Sequence, residues 1–260
     1  MVIDGYVQHH AGSLETGESV HEVDHLIKEL NRARVDAAIL VDGCVDEASV
    51  SNDHALQAVR AHPGRLMAFA NIKPGAGGRA ALDELERTVG AAGFRGIGVN
   101  PACDHLPANS KLMYPVIEAA MHYDVPVWIA TGVYPHATPT LVGNLASKFP
   151  RAKIICGHLG CELFYDAICA GRRHESLYFD ISFQGRASFQ TALRELGASR
   201  LLYGSGFPQA GAAVMKEVVE RTRMPAAARA GILGGNIAGL LGATVIKELE
   251  KWAGQTPAFA

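Results

Sequence analysis

The sequence predicts an α/β fold, a single (β/α)8 or TIM-like barrel with extra C-terminal helices. Three observations predict it. Short runs rich in Val, Ile, Leu and Phe alternate with longer stretches of helical period, the alternation repeats eight times, and no linker or low-complexity segment interrupts it. The length agrees: 260 residues with 48% hydrophobic and 19% charged content can bury one large core. One domain over residues 1–260 is therefore expected.

The strand runs cover residues 2–8, 36–41, 66–72, 94–100, 125–131, 153–156, 177–182 and 201–203. The helical stretches that follow them are 19–33, 54–61, 80–90, 112–122, 139–149, 162–170, 187–196 and 212–221. Glycine and proline fall between these elements, as in Lys73-Pro74-Gly75 and Gly204-Ser205-Gly206-Phe207-Pro208, where turns need them. Residues 225–241 and 246–252 read as further helices packed on the outside, and the tail GQTPAFA as frayed.

Charge narrows the partners. A net charge of -2 with both signs interleaved leaves no basic face for nucleic acid and no polybasic stretch for anionic lipid. A small-molecule substrate is expected, and self-association is left open. The opening MVIDGYVQHH lacks the features of a signal peptide, and no apolar run approaches the roughly 18 residues that span a bilayer. The five cysteines, Cys44, Cys103, Cys156, Cys161 and Cys169, include no C-x-x-C pair, which reads as reduced thiols in a soluble cytoplasmic protein. Cys44 and Cys103 follow strands, so a thiol nucleophile is conceivable there, but buried inert thiols are the expectation.

Barrel enzymes place their chemistry on the loops after the strands' C-terminal ends. Read in order, those ends carry a set of local patterns. They are Ile3-Asp4 opening the first strand, GFRGIGVNP at 93–101, YPVIEAAMHYDVPVWIATG at 114–132 and FPRAKIICGHLG at 149–160. YFDIS at 178–182, LLYGSGFP at 201–208 and ILGGNIAGLLG at 232–242 complete the set. Together they resemble the amidohydrolase superfamily, in the branch of metal-dependent decarboxylases and related lactonases.

The resemblance implies a metal held by an H-x-H pair after strand one, a His each from strands five and six, and an Asp from strand eight. Those positions correspond here to Tyr6, Gln8, Ala130, His158 and Gly206, and only His158 keeps the ligand type. One imidazole with a neutral amide does not offset the dehydration of a divalent cation. No metal and no other cofactor is therefore expected, and the glycine-rich segments show no phosphate-loop pattern.

What remains is a metal-independent site. His158 is the candidate general acid or base, with Gln8 and Tyr6 beside it as catalytic partners that orient or polarise a carbonyl. Substrate contacts are expected from His9 and His10 after strand one, Asn100 and His105 after strand four, and Tyr134 and His136 after strand five. Asp180 in strand seven and Ser205 after strand eight complete this group. By alternation Ser182 shares a face with Asp180, so one strand-seven parity turns to the mouth.

Three functions compete. The first is an amidohydrolase-like enzyme acting without metal on a small carbonyl or carboxylate compound, by hydrolysis first and by lyase or isomerase chemistry otherwise. The second is a non-catalytic barrel that binds a ligand or serves as a subunit. The third is a hydrolase whose metal has moved to His9 or His10 with His158 and His136.

Overall fold

The computed structural model describes residues 1–8, 23–41, 47–77 and 79–253. Eight parallel strands pair in sequence order. They are β1 (Ile3–Val7), β2 (Ala37–Leu40), β3 (Leu66–Asn71), β4 (Gly96–Val99), β5 (Val127–Ile129), β6 (Ile154–Cys156), β7 (Leu177–Asp180) and β8 (Leu201–Leu202). Each lies inside the run expected from the sequence. The seam between β8 and β1 is closed by backbone hydrogen bonds from Gly5 N–H to Tyr203 O (2.8 Å), Gly206 N–H to Tyr6 O (3.0 Å) and Gln8 N–H to Phe207 O (2.8 Å).

Helices alternate with the strands and cover the outside. They are α1 (Val23–Ala33), α2 (Ala48–Ala61), α3 (Ala80–Leu85), α4 (Tyr114–His122), α5 (Pro139–Lys148), α6 (Phe164–Arg173), α7 (Arg186–Leu196) and α8 (Ala212–Arg221). In α1 the buried residues are Leu26, Leu30 and Ala33, the four- and three-residue spacing that puts one apolar stripe against the sheet.

Strand side chains divide by parity. Ala38, Leu40, Ala68, Ile97, Val127, Ile129, Ile154 and Phe179 belong to the layer between strands and helices. Ile39, Phe69, Trp128, Ile155 and Leu202 join Ile3 and Tyr6 inside the barrel. The two-residue period of a strand thus builds two cores from one sheet.

The last helices, α9 (Ala226–Ala230), α10 (Asn236–Leu241) and α11 (Ala243–Ala253), correct one expectation. They do more than pack outside, because Ile237, Leu240, Val245 and Leu249 join the inner cluster. Lys153 Nζ donates to Leu240 O (3.3 Å), Arg95 pairs with Glu248 (2.6 Å) and Asn236 Nδ2 donates to Leu201 O (2.8 Å). Lys153, Arg95 and Leu201 stand where strands begin, so these helices form a floor and leave the opposite end as the mouth. The expected frayed tail lies outside the described residues. No described helix is long and apolar enough to cross a membrane.

Candidate active site

The site is built on a strained turn. After β6 the backbone runs through four consecutive residues of positive φ: His158 (57°), Leu159 (47°), Gly160 (78°) and Cys161 (51°). Only glycine adopts this region without steric cost, and a non-glycine residue there costs about 1 to 3 kcal/mol. Neighbouring strands supply the restraint. Thr131, after β5, donates its hydroxyl to Gly157 O and accepts from Gly160 N–H (3.1 Å). From the β7 side, Gln184 Nε2 donates to His158 O (2.6 Å). His158 is therefore fixed at the backbone before its ring makes any contact.

His158 is 8% exposed, and its ring lies among three aromatic groups. Its centroid is 4.8 Å from Tyr6, 5.1 Å from Trp128 and 5.0 Å from Phe183. Tyr6 and Trp128 stack at 4.5 Å with planes 12° apart. A Cβ built on Gly157 would stand 2.5 Å from the Trp128 ring, so the glycine of C-G-H-L-G makes room for the indole.

His158 Nδ1 lies 2.7 Å from Ser182 Oγ, and Ser182 Oγ donates to Asp180 Oδ2 (2.6 Å). Asp180 also accepts from His158 N–H (3.1 Å), Trp128 Nε1–H (3.4 Å) and Ser182 N–H (2.9 Å). Nδ1 and Asp180 Oδ2 stand 3.6 Å apart, so the hydroxyl, and not the carboxylate, is the imidazole's hydrogen-bond partner on this side. Burial lowers the His158 pKa and outweighs the opposing pull of Asp180, which keeps the ring neutral near pH 7.

A second polar chain runs beside it. Gln209 Nε2 donates to Gln8 Oε1, and Gln8 Nε2 donates to the Tyr6 hydroxyl. Below this chain, at the barrel seam, Asp4 Oδ1 accepts from Ser205 N–H (2.8 Å) and Tyr6 N–H (3.2 Å). Among the described residues, Asp4 Oδ2 is buried without a hydrogen-bond partner. Burial, partly offset by bonds to Ser205, raises the Asp4 pKa to about 7.

The structure thus brings together His158, Tyr6, Gln8 and Asp180. Asp180 is 2% exposed and bonds to His158 and Ser182. Ser205 is fully buried, and its N–H and Oγ engage Asp4 and Phe207 N–H. Asn100 Oδ1 accepts from Cys103 N–H (3.3 Å), so this oxygen caps its own turn. His105 and Tyr134 are exposed, and His136 is half-buried with its carbonyl accepting from Ala108 N–H (2.8 Å). His9 and His10 lie outside the described residues.

Sequence reasoning passed over Trp128, Phe183, Gln184 and Gln209. Trp128 had a signal, since it shares strand parity with Ala130, one of the family's ligand positions. Ser182 was named only through its alternation with Asp180, and the inward parity of β7 now gives it a place.

The thiols also need one correction. Cys103 is disulfide-bonded, so it is not an inert free thiol, and spacing in the sequence could not have shown which cysteines meet in space. The bond removes one observation behind the cytoplasmic expectation. Cys44 lies outside the described residues. Cys156 and Cys161 are free, and burial raises their thiols to about 12 and about 11, which leaves no thiolate for nucleophilic attack.

The positions that the resemblance assigns to a metal do not fit one. Ala130 and Gly206 offer no side-chain donor atom, Tyr6 and Gln8 are hydrogen-bonded to each other, and the Phe183 ring fills the space beside Gly206. Among the described residues, no group of three or more His, Cys, Asp and Glu is arranged to hold a metal ion.

Solved structures share this architecture. An uncharacterized TIM-barrel protein of Bordetella bronchiseptica is 18% identical, with 96% of this chain and 99% of that one covered at a TM-score of 0.74. The 4-oxalomesaconate hydratase of Rhodopseudomonas palustris is 15% identical over 98% and 99% of the two chains, with a TM-score of 0.73. A dihydroxybenzoic acid decarboxylase of Polaromonas, solved with bound manganese, is 18% identical over 94% and 98%, also with a TM-score of 0.73. At such identities the likeness speaks for the fold alone. A search of curated proteins by sequence returns no match. The amidohydrolase family model matches residues 29–243, beginning beyond Tyr6 and Gln8. With most of its length matched in this way and its eight-stranded barrel, the chain belongs to the amidohydrolase family.

Proposed function

We propose that this barrel is an enzyme that acts without the family's metal on a small carbonyl or carboxylate compound, with hydrolysis as its leading reaction and His158 as general acid and base. The observation that carries this reading is the buried imidazole, fixed by its backbone turn and held through Nδ1 by Ser182. A base is most effective when its protonation state is right at working pH and its geometry is fixed in advance.

In the hydrolytic scheme a water adds to the substrate carbonyl while its proton passes to His158 Nε2. That proton then goes to the leaving oxygen or nitrogen as the bond to the carbonyl carbon breaks. The Gln8–Tyr6 chain would supply hydrogen bonds to the developing oxyanion. Lyase chemistry is the second reading, because proteins of this fold include a hydratase and a decarboxylase.

The test is turnover of a panel of small lactones and carboxylates by protein stripped with a chelator. Elemental analysis of the untreated protein, which should hold well below one equivalent of zinc or manganese, accompanies it. Retained turnover after stripping, lost in His158→Asn, supports the reading. Activity that vanishes with the chelator and returns with manganese overturns metal independence, and full activity in His158→Asn overturns the role of the histidine. A folded protein that turns over nothing would favour the non-catalytic barrel.

A further inference from the structure

We infer that Ser182 is a positioning residue that places the proton of neutral His158 on Nδ1 and so makes Nε2 the basic nitrogen of the site. The argument follows from counting donors. A serine hydroxyl has one proton, and a carboxylate oxygen only accepts. Ser182 donates that proton to Asp180 Oδ2 at 2.6 Å, so at its 2.7 Å contact with His158 Nδ1 its oxygen must accept. Nδ1 therefore carries hydrogen.

Asp180 holds this polarity in place. Three N–H groups, from His158, Trp128 and Ser182, also donate to it, which stops it from turning toward Nδ1. Ser182 is fully buried, so water does not compete for its hydroxyl. The order carboxylate, hydroxyl, imidazole differs from that of a nucleophilic serine triad, because here the serine lies between the acid and the histidine and has already given its proton to the acid.

The use of Nε2 in catalysis rests on the function proposed above, but the proton's location can be measured without a substrate. The full-length protein, labelled with 15N-histidine, is studied by long-range 1H–15N spectra at pH 8, and His158 is assigned by its loss in His158→Asn. The expected result is a protonated Nδ1 and an unprotonated Nε2. Ser182→Ala should move the ring toward the Nε2–H form that unrestrained neutral histidine favours, and Ser182→Thr should restore the wild-type pattern.

A wild-type ring with its proton on Nε2 overturns the assignment, as does a folded Ser182→Ala protein with an unchanged pattern. If Ser182→Ala does not fold, the wild-type and Ser182→Thr spectra still decide. If the proton sits on Nδ1 while turnover survives His158→Asn, the catalytic reading fails and this assignment stands.

Discussion

Phe183 lies in the space that a side chain at position 206 would need: a Cβ built on Gly206 would come within 2.3 Å of the Phe183 ring. The two backbones are matched to this exchange, since Gly206 has φ 76° and Phe183, itself 40% exposed, has φ 61°. The aromatic ring that closes over His158 is possible because residue 206 has no side chain.

This competition predicts a coupled pair. Gly206→Asp, the residue that the family resemblance would ask for, should destabilise the fold by roughly 2 to 4 kcal/mol through overpacking and strain at positive φ. Adding Phe183→Ala should recover part of that loss. Urea melts of both single variants and the double variant check it, and strictly additive losses would show that the two side chains do not compete.

Removal of the imidazole should affect both chemistry and stability. The ring is packed among Tyr6, Trp128 and Phe183 and hydrogen-bonded to Ser182. A loss of roughly 2 to 3 kcal/mol is expected. Turnover should fall roughly 10²- to 10⁴-fold if acid–base catalysis operates. Melts and steady-state kinetics on the same preparation separate the two effects.

Asp4 gives a pH dependence of known sign. Its folded pKa, about 7, stands above the ordinary aspartate value of 3.8, so the folded state holds a proton that the unfolded state has released. This contribution is complete below the unfolded value and is lost as pH rises toward 7, on the order of 3 to 4 kcal/mol. Asp4→Asn keeps an oxygen for Ser205 and Tyr6 N–H and removes the titration. Melts at pH 5 and pH 8 should therefore differ less in the variant than in the wild type, and an equal difference would assign the pH dependence elsewhere.

The turn after β6 depends on one hydroxyl. Thr131→Val keeps the shape of the side chain but leaves Gly157 O and Gly160 N–H without their partner, at a cost of roughly 2 to 3 kcal/mol. Turnover should fall along with stability, because the restraint acts on His158. A variant that melts as the wild type does would show that the turn holds itself.

The fold was legible because strand and helix periods are local. Each strand run contained its observed strand, and the predicted bounds of α8 and the observed ones agree. The convergence of Tyr6, Gln8 and His158 was legible through strand ends and parity. The relay through Ser182 was not, since alternation offers two faces for β7 and only packing showed that Phe179 turns outward. Phe183 was hidden for a different reason: its position depends on a left-handed backbone that phenylalanine does not advertise. Gln209 meets Gln8 across 201 positions of sequence, and no local pattern announces such a pair.

The seam has a consequence for how the chain folds. Ser205 reaches Asp4 across 201 residues, so the last strand must find the first after nearly the whole polypeptide exists. Loop-closure entropy opposes that step, and contacts of this sequence separation form late and slowly. Until it happens, β1 and β7 each present an open row of backbone donors and acceptors. A nascent or truncated chain that stops short of residue 201 therefore carries two sticky edges, and its hazard is edge-to-edge aggregation.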